Sequence, residues 1–311
     1  MIRDDFLKSW FEYLPLFISE GSPSEDTLRS YHNEISAWLK WCNARNITPF
    51  EVNEFQGRLY LRELLSRKYS KATVALKIAA CKAFYRVAVK LDVVPQNPFG
   101  DIKVDVDKAD DTNFVYYSTD EISQFLDIIS QDAELTEEVK LRNMCFIMLM
   151  AVEGLRVVEV HRMNDEDINF KLGRILIHGK GHDAYIYPCE DTLRVLQDYL
   201  SCRALSTPEG KVTPCFVSVS WKSESLRITR AGIRWAVNQI LIASKKKKRG
   251  SACHALRHSC GTNLYQATKD LRLVQETLRQ ENPNVTARYA HVVDRINNRS
   301  TEKISPFSRG C

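Results

Sequence analysis

The first third of the chain repeats apolar residues with the period of an α-helix. Phe6, Trp10, Leu14 and Phe17/Ile18 recur every three or four positions, and Gly21 supplies a stop. Ser24 then stands as an N-cap before a second helix, whose apolar face carries Leu28, Tyr31, Ile35, Trp38 and Cys42. The spacing predicts a third helix over 51–67. Ser70 caps a fourth, with Val74, Ile78, Cys81, Phe84/Tyr85 and Ala88 on its apolar stripe. Pro95 and Pro98 end that helix, because each removes a backbone donor and restricts the residue before it. Residues 1–99 are therefore expected to form a small all-helical bundle.

The pattern changes at Gly100. Residues 100–112 hold Asp101, Asp105, Asp107, Asp110 and Asp111 with little apolar content, and read as an exposed linker. A second domain is expected over 113–311, and Ser118 with Glu121 forms a capping-box pattern at its first helix. A buried helix passes through Met144, Ile147, Met148 and Ala151. Two short strands are predicted at 174–178 and 185–187, joined by a turn containing Gly179-Lys180-Gly181. Helices return over 191–202 and from Thr229 onward. There is no internal repeat.

Length and composition sharpen this picture in few places. With 311 residues and 44% apolar content, two domains can each bury a core. The longest apolar run, 144–152, is bounded by Arg142 and Glu153 and is shorter than the roughly 18 residues of a membrane span. No membrane association is expected, and the first residues do not read as a signal peptide. Nine cysteines, an odd number without a C-x-x-C pair, point to reduced thiols in a cytoplasmic setting, with no disulfide frame and no metal site.

Charge is uneven. Residues 221–311 hold 18 Lys+Arg against 6 Asp+Glu, while the preceding 220 hold 26 against 33. A basic segment on a near-neutral chain is the footprint of a polyanion binder. Within it, Lys245, Lys246, Lys247, Lys248 and Arg249 form a run suited to nonspecific phosphate contacts.

Candidate chemistry is spread over four segments. Arg156 follows Gly154-Leu155 at a helix start, with Glu159 three residues on. Lys180 sits at a hairpin tip, where glycines allow close backbone approach. His254, Arg257 and His258 lie within one helical turn, and Tyr289 precedes His291 by two. Each has an ordinary reading: a helix-start ion pair, a tight turn, a core histidine, a packing tyrosine. Together they fit phosphoryl transfer. Two separated arginines can converge on one phosphate and stabilise the charge its oxygens gain, and lysine could not replace them geometrically. A tyrosine nucleophile has a pKa near 10 and needs proton removal and an electropositive site. His254 can accept that proton.

Taken in order, Arg156, Lys180, His254, Arg257 and Tyr289 resemble the tyrosine recombinases of the phage integrase family, whose pattern is G-L-R-x-x-E, a hairpin lysine, H-x-x-R-H and a C-terminal tyrosine. The segment from Ser70 to Pro98 is similar to that family's DNA-clamping bundle. The resemblance implies a mainly α chain: a helical core-binding bundle, then a mixed α+β catalytic domain with a small antiparallel sheet, closing on duplex DNA as a C-shaped clamp. It implies cleavage through a 3′-phosphotyrosine intermediate, with Lys180 protonating the departing 5′ oxygen and without cofactor, ATP or metal. Glu159, His258 and His291 would support the site. Lys71, Thr73 and Lys77 would contact DNA. The working form would be a homotetramer on paired sites, cytoplasmic and nucleoid-associated, with residues 292–311 docking on a neighbour. The reaction would serve integration or excision of a mobile element, or replicon resolution.

One position departs. The family has L-G-H nine residues before its tyrosine, and this chain has Leu278-Arg279-Gln280. Glutamine donates a hydrogen bond but carries no charge, a loss on the order of 2–4 kcal/mol in the transition state if uncompensated. Arg279 is the neighbour that would compensate. A type IB topoisomerase, or a recombinase decayed to a DNA binder, shares the same residues. The N-terminal bundle speaks against the first, and Gln280 favours the second.

Overall fold

The computed structural model describes residues 2–19, 22–105, 114–179, 183–203, 212–219, 227–247 and 253–297. The chain divides into two compact units, 1–110 and 111–311.

Unit 1 is helical. Helices α1 (Ile2–Tyr13), α2 (Glu25–Asn43), α3 (Glu54–Ser66) and α4 (Lys71–Lys90) follow the predicted periodicity. Ser24 and Ser70 cap α2 and α4 by accepting from the backbone N–H of Thr27 and Thr73. α3 starts at Glu54, later than its apolar spacing suggests, because Asn53 and Gln56 form a reciprocal capping box there. Its core is aromatic. Trp38 is fully buried, stacks on Trp41 at 5.0 Å and meets Tyr60 and Phe99 edge-on. Its indole N–H donates to the Tyr85 hydroxyl (3.3 Å), which donates to the Pro49 carbonyl (2.7 Å). Two expectations change. α4 stops at Lys90, before the prolines, because Asp92 turns left-handed (φ 52°) and the Val93 N–H returns to the Ala88 carbonyl. Ile102, assigned to the linker for its polar surroundings, is 1% exposed and belongs to this core.

Unit 2 is helical around a small sheet. It contains α5 (Thr119–Gln131), α6 (Glu137–Ala151) and α7 (Val157–Arg162). The strands β1 (Ile168–Asn169), β2 (Arg174–His178) and β3 (Asp183–Ile186) follow, then α8 (Glu190–Cys202), α9 (Arg230–Ala243), α10 (Cys253–Thr268), α11 (Leu271–Thr277) and α12 (Pro283–Asn297). Strand order is β1-β2-β3, all antiparallel, with Ile175 opposite Ile186 and His178 opposite Asp183. β1 escapes sequence reading because two residues carry no period. α6 is the central element: nine of its residues are buried, as a helix apolar on all sides requires. A smaller cluster of Cys260, Tyr265, Val274, Leu278, Tyr289 and Val293 joins α10, α11 and α12. No described helix is long and apolar enough to cross a membrane.

Candidate functional site: an arginine cluster beside a buried tyrosine

The α6–α7 turn, the N-terminal part of α10 and the α11–α12 connection carry the site. Gly154, at φ 69°, turns the chain from α6 towards α7, and a Cβ there would lie 2.5 Å from Leu278. Its carbonyl accepts from Nη1 of Arg257, while Nη2 of Arg257 donates to the Leu278 carbonyl. Arg257 thus staples three segments together and is 5% exposed. Burial, then the nearby charge of Arg156, push its guanidinium down to about 10.

Glu159 is the anion of the cluster. It lies at the third position of α7, 3% exposed, and its Oε2 accepts from the Arg156 backbone N–H at 2.7 Å. Nη1 of Arg156 meets Oε1 at 2.8 Å, Nη2 of Arg279 meets Oε2 at 3.1 Å, and Nη1 of Arg257 lies 3.9 Å from Oε2. Burial raises its carboxyl pKa, but Arg279 and the bonds from Arg156 outweigh it, so the group stays below its usual value.

Tyr289 is 1% exposed. Its ring fits against α10 only because Gly261 has no side chain, since a Cβ there would come within 2.7 Å of the ring. The phenol oxygen accepts from Nε2 of Gln280 at 3.4 Å and lies 3.3 Å from Nδ1 of His258. Burial and then the charges of His254, Arg288 and Arg257 push His258 down to about 4. Its ring is therefore neutral at pH 7, and Nδ1 can take the hydrogen bond from the phenol. Gln280 is oriented by Thr286, whose hydroxyl donates to its Oε1 at 2.9 Å. Burial raises the Tyr289 pKa, against the opposing Gln280 bond and Arg257 charge.

The described residues bring Arg156, Glu159, Arg257, His258, Gln280 and Tyr289 together. His258, expected to play a supporting part, touches the phenol directly. His254 is exposed on α10; burial of its ring, then the charges of Arg257, Arg234 and Arg156, lower its pKa. His291, two residues beyond Tyr289 on α12, is also exposed. Lys180, Lys248 and Arg249 lie outside the described residues, as does 298–311 of the expected tail. Of the other basic candidates, Lys245 is exposed, Lys246 pairs with Glu121 at 3.0 Å and Lys247 donates to Asn238. In unit 1, Lys71 is exposed at the start of α4 and the Thr73 hydroxyl bonds to Ser70. Lys77 is ion-paired with Glu34 and only 12% exposed, so its charge is already answered within the protein. Sequence reading missed Thr286 and Gly261. Neither carries a local signal, because each matters through a partner brought near by folding.

Comparison with known proteins follows the same two regions. The model of the phage integrase family matches residues 116–295, and that of the phage integrase N-terminal SAM-like domain matches 7–91. The tyrosine recombinase XerC of Listeria innocua is 29% identical over 290 residues, covering 92% of each chain. That of Pediococcus pentosaceus is 29% identical over 293 residues, covering 93% of this chain and 95% of its own. Among solved structures, the XerH site-specific recombinase bound to palindromic difH substrate superposes with a TM-score of 0.67 at 19% identity, over 95% of this chain and 93% of that one. A lambda integrase dimer bound to a COC' core site gives 0.65 at 15% identity, over 89% and 96%.

Proposed function

The chain belongs to the phage integrase family and is a tyrosine recombinase, an enzyme that breaks and rejoins DNA at specific sites; from that premise we propose that Tyr289 is its nucleophile and duplex DNA its substrate. The phenol oxygen bonds to the scissile phosphorus as the bond to the 5′ oxygen breaks, leaving a 3′-phosphotyrosine and a free 5′ hydroxyl. His254 takes the phenol proton once the ring has left its contact with Nδ1 of His258, and Lys180 supplies a proton to the 5′ oxygen. Arg156 and Arg257 hold the non-bridging oxygens, which gain charge in the transition state. The 5′ hydroxyl of a partner strand reverses the step, and the phosphodiester energy is retained in the covalent bond. The reaction proceeds in a homotetramer on paired sites. It exchanges strands either for movement of a mobile element or for resolution of a replicon.

One observation carries this reading: a net-positive arginine cluster, anchored on a buried carboxylate, lies next to a tyrosine whose hydroxyl is already hydrogen-bonded. Gln280 keeps the phenol contact without charge, which weakens the site and leaves its chemistry unchanged. The test is incubation with a nicked suicide substrate, where the cleaved end diffuses away. Wild type should form a covalent protein–DNA adduct that Tyr289→Phe abolishes. Binding without an adduct would make the chain a DNA-binding relic, and plasmid relaxation without site preference or recombinant products would make it a topoisomerase.

A further inference from the structure

Glu159 gathers more positive charge than one carboxylate neutralises. Three guanidinium groups around it, at 2.8, 3.1 and 3.9 Å, leave two net charges at the site. Such an arrangement is unfavourable until an anion joins it. Arg257 is the least available of the three, because backbone carbonyls hold both its Nη groups and its side chain is 6% exposed. The reachable edge is formed by Arg156, 40% exposed, and Arg279, 17% exposed.

The backbone at Arg279 points the same way. It follows the end of α11 at φ 50°, a left-handed position where glycine is the unstrained choice. Seven described non-glycine residues have positive φ. Six of them, Ser19, Asn46, Lys68, Asp92, Lys245 and Lys269, are exposed. Arg279 is the one drawn inward, with Nη1 on the Thr277 carbonyl and Nη2 on Glu159. Its Nε–H is buried and, among the described residues, has no hydrogen-bond partner. A left-handed backbone and a buried unanswered donor are both costs, and an anion at this edge would offset them.

We propose that Arg279 is a third arginine ligand of the scissile phosphate, supplying beside Arg156 and Arg257 the charge that Gln280 lacks. This rests on the phosphotyrosine reading above. Arg279 offers the phosphate a fork of donors, and its charge matters most in the transition state, when the non-bridging oxygens carry more than one negative charge.

The experiment is single-turnover adduct formation by wild type, Arg279→Gly, Arg279→Lys and Tyr289→Phe. Two nicked substrates are used, one natural and one with a neutral methylphosphonate at the scissile position. Arg279→Gly should remain folded with a cooperative melt, since glycine relieves the backbone and Arg156 and Arg257 still face Glu159. It should cleave the natural substrate roughly 10²-fold more slowly, and Arg279→Lys should recover only part of that loss. On the methylphosphonate, which has no charge to balance, the Arg279→Gly deficit should shrink to within about tenfold of wild type. An equal deficit on both substrates would show that Arg279 acts only through the fold, and wild-type cleavage by Arg279→Gly would also overturn the assignment. In either case the wild-type adduct, lost in Tyr289→Phe, leaves the phosphotyrosine reading standing. Absence of any wild-type adduct would overturn both.

Discussion

Substituting Glu159 with glutamine keeps its size and removes its charge, leaving three guanidinium groups without their common counter-ion. Removing one partner of a buried ion pair is destabilising by several kcal/mol. Because Arg156 and Arg279 retain solvent contact, about 3 kcal/mol is expected for Glu159→Gln, read from the shift in the urea midpoint. The sign of the pH effect follows from the same residue. Its carboxyl pKa is held below the usual value in the fold, so its contribution is present at neutral pH and fades as the pH falls through the folded value. Glu159→Gln should remove that acid-side loss. At this scale the site was partly legible in sequence. Arg156 with Glu159, and His254 with Arg257, were found because each pair lies within one helical turn and the two motifs follow one another in a recognisable order. Thr286 and Gly261 were not, because a hydroxyl that orients an amide and a missing Cβ that admits a ring acquire meaning only after α10 and α12 pack.

The β2–β3 pair is tied down by one histidine. His178 places Nε2 at 2.9 Å from the buried Asp167 and Nδ1 at 3.1 Å from Asp183 across the ladder. The bond to Asp167 raises its pKa most, burial opposes it, and the bond to Asp183 adds to the rise, so the net shift is upward. A group raised in the fold stabilises fully below its unfolded value, near pH 6.5, and loses that contribution as the pH rises through the folded one. Wild type is therefore expected to lose melting temperature as the pH rises above about 6.5 and through the raised folded value, and His178→Gln should show a flatter profile there. Helices were the readable elements. Their caps are local side-chain chemistry, as at Ser24, Ser70 and Ser118, and their stripes are periodic. The sheet was read only as far as its length allowed: β2 was placed, β3 starts two residues and ends one residue earlier than expected, and β1 was invisible. The end of α4 was set by a left-handed turn at Asp92 that competed with the more conspicuous prolines.

Across the whole molecule, two features govern how the protein meets a polyanion. Each unit has its own core, one built on Trp38 and its aromatic neighbours, the other on α6. The positive charge is concentrated after residue 221, and its lysines differ in availability. Binding to duplex DNA should weaken linearly in log affinity against log salt, and replacing the exposed Lys245 with alanine should lower that slope by about 0.9. Lys246→Ala should lower it less, because Glu121 already answers that charge. Fluorescence titrations at several salt concentrations would measure both. The buried setting of Tyr289 bears on fidelity in the genome. If Tyr289 is the nucleophile proposed above, exposing its ring at a cost of about 2 kcal/mol would leave roughly one unassisted molecule in thirty with the phenol presented. Loose contacts through surface lysines do nothing to raise that fraction. A duplex that holds the ring exposed does. On the proposed role of Tyr289, cleavage would then be confined to duplexes that favour the exposed ring.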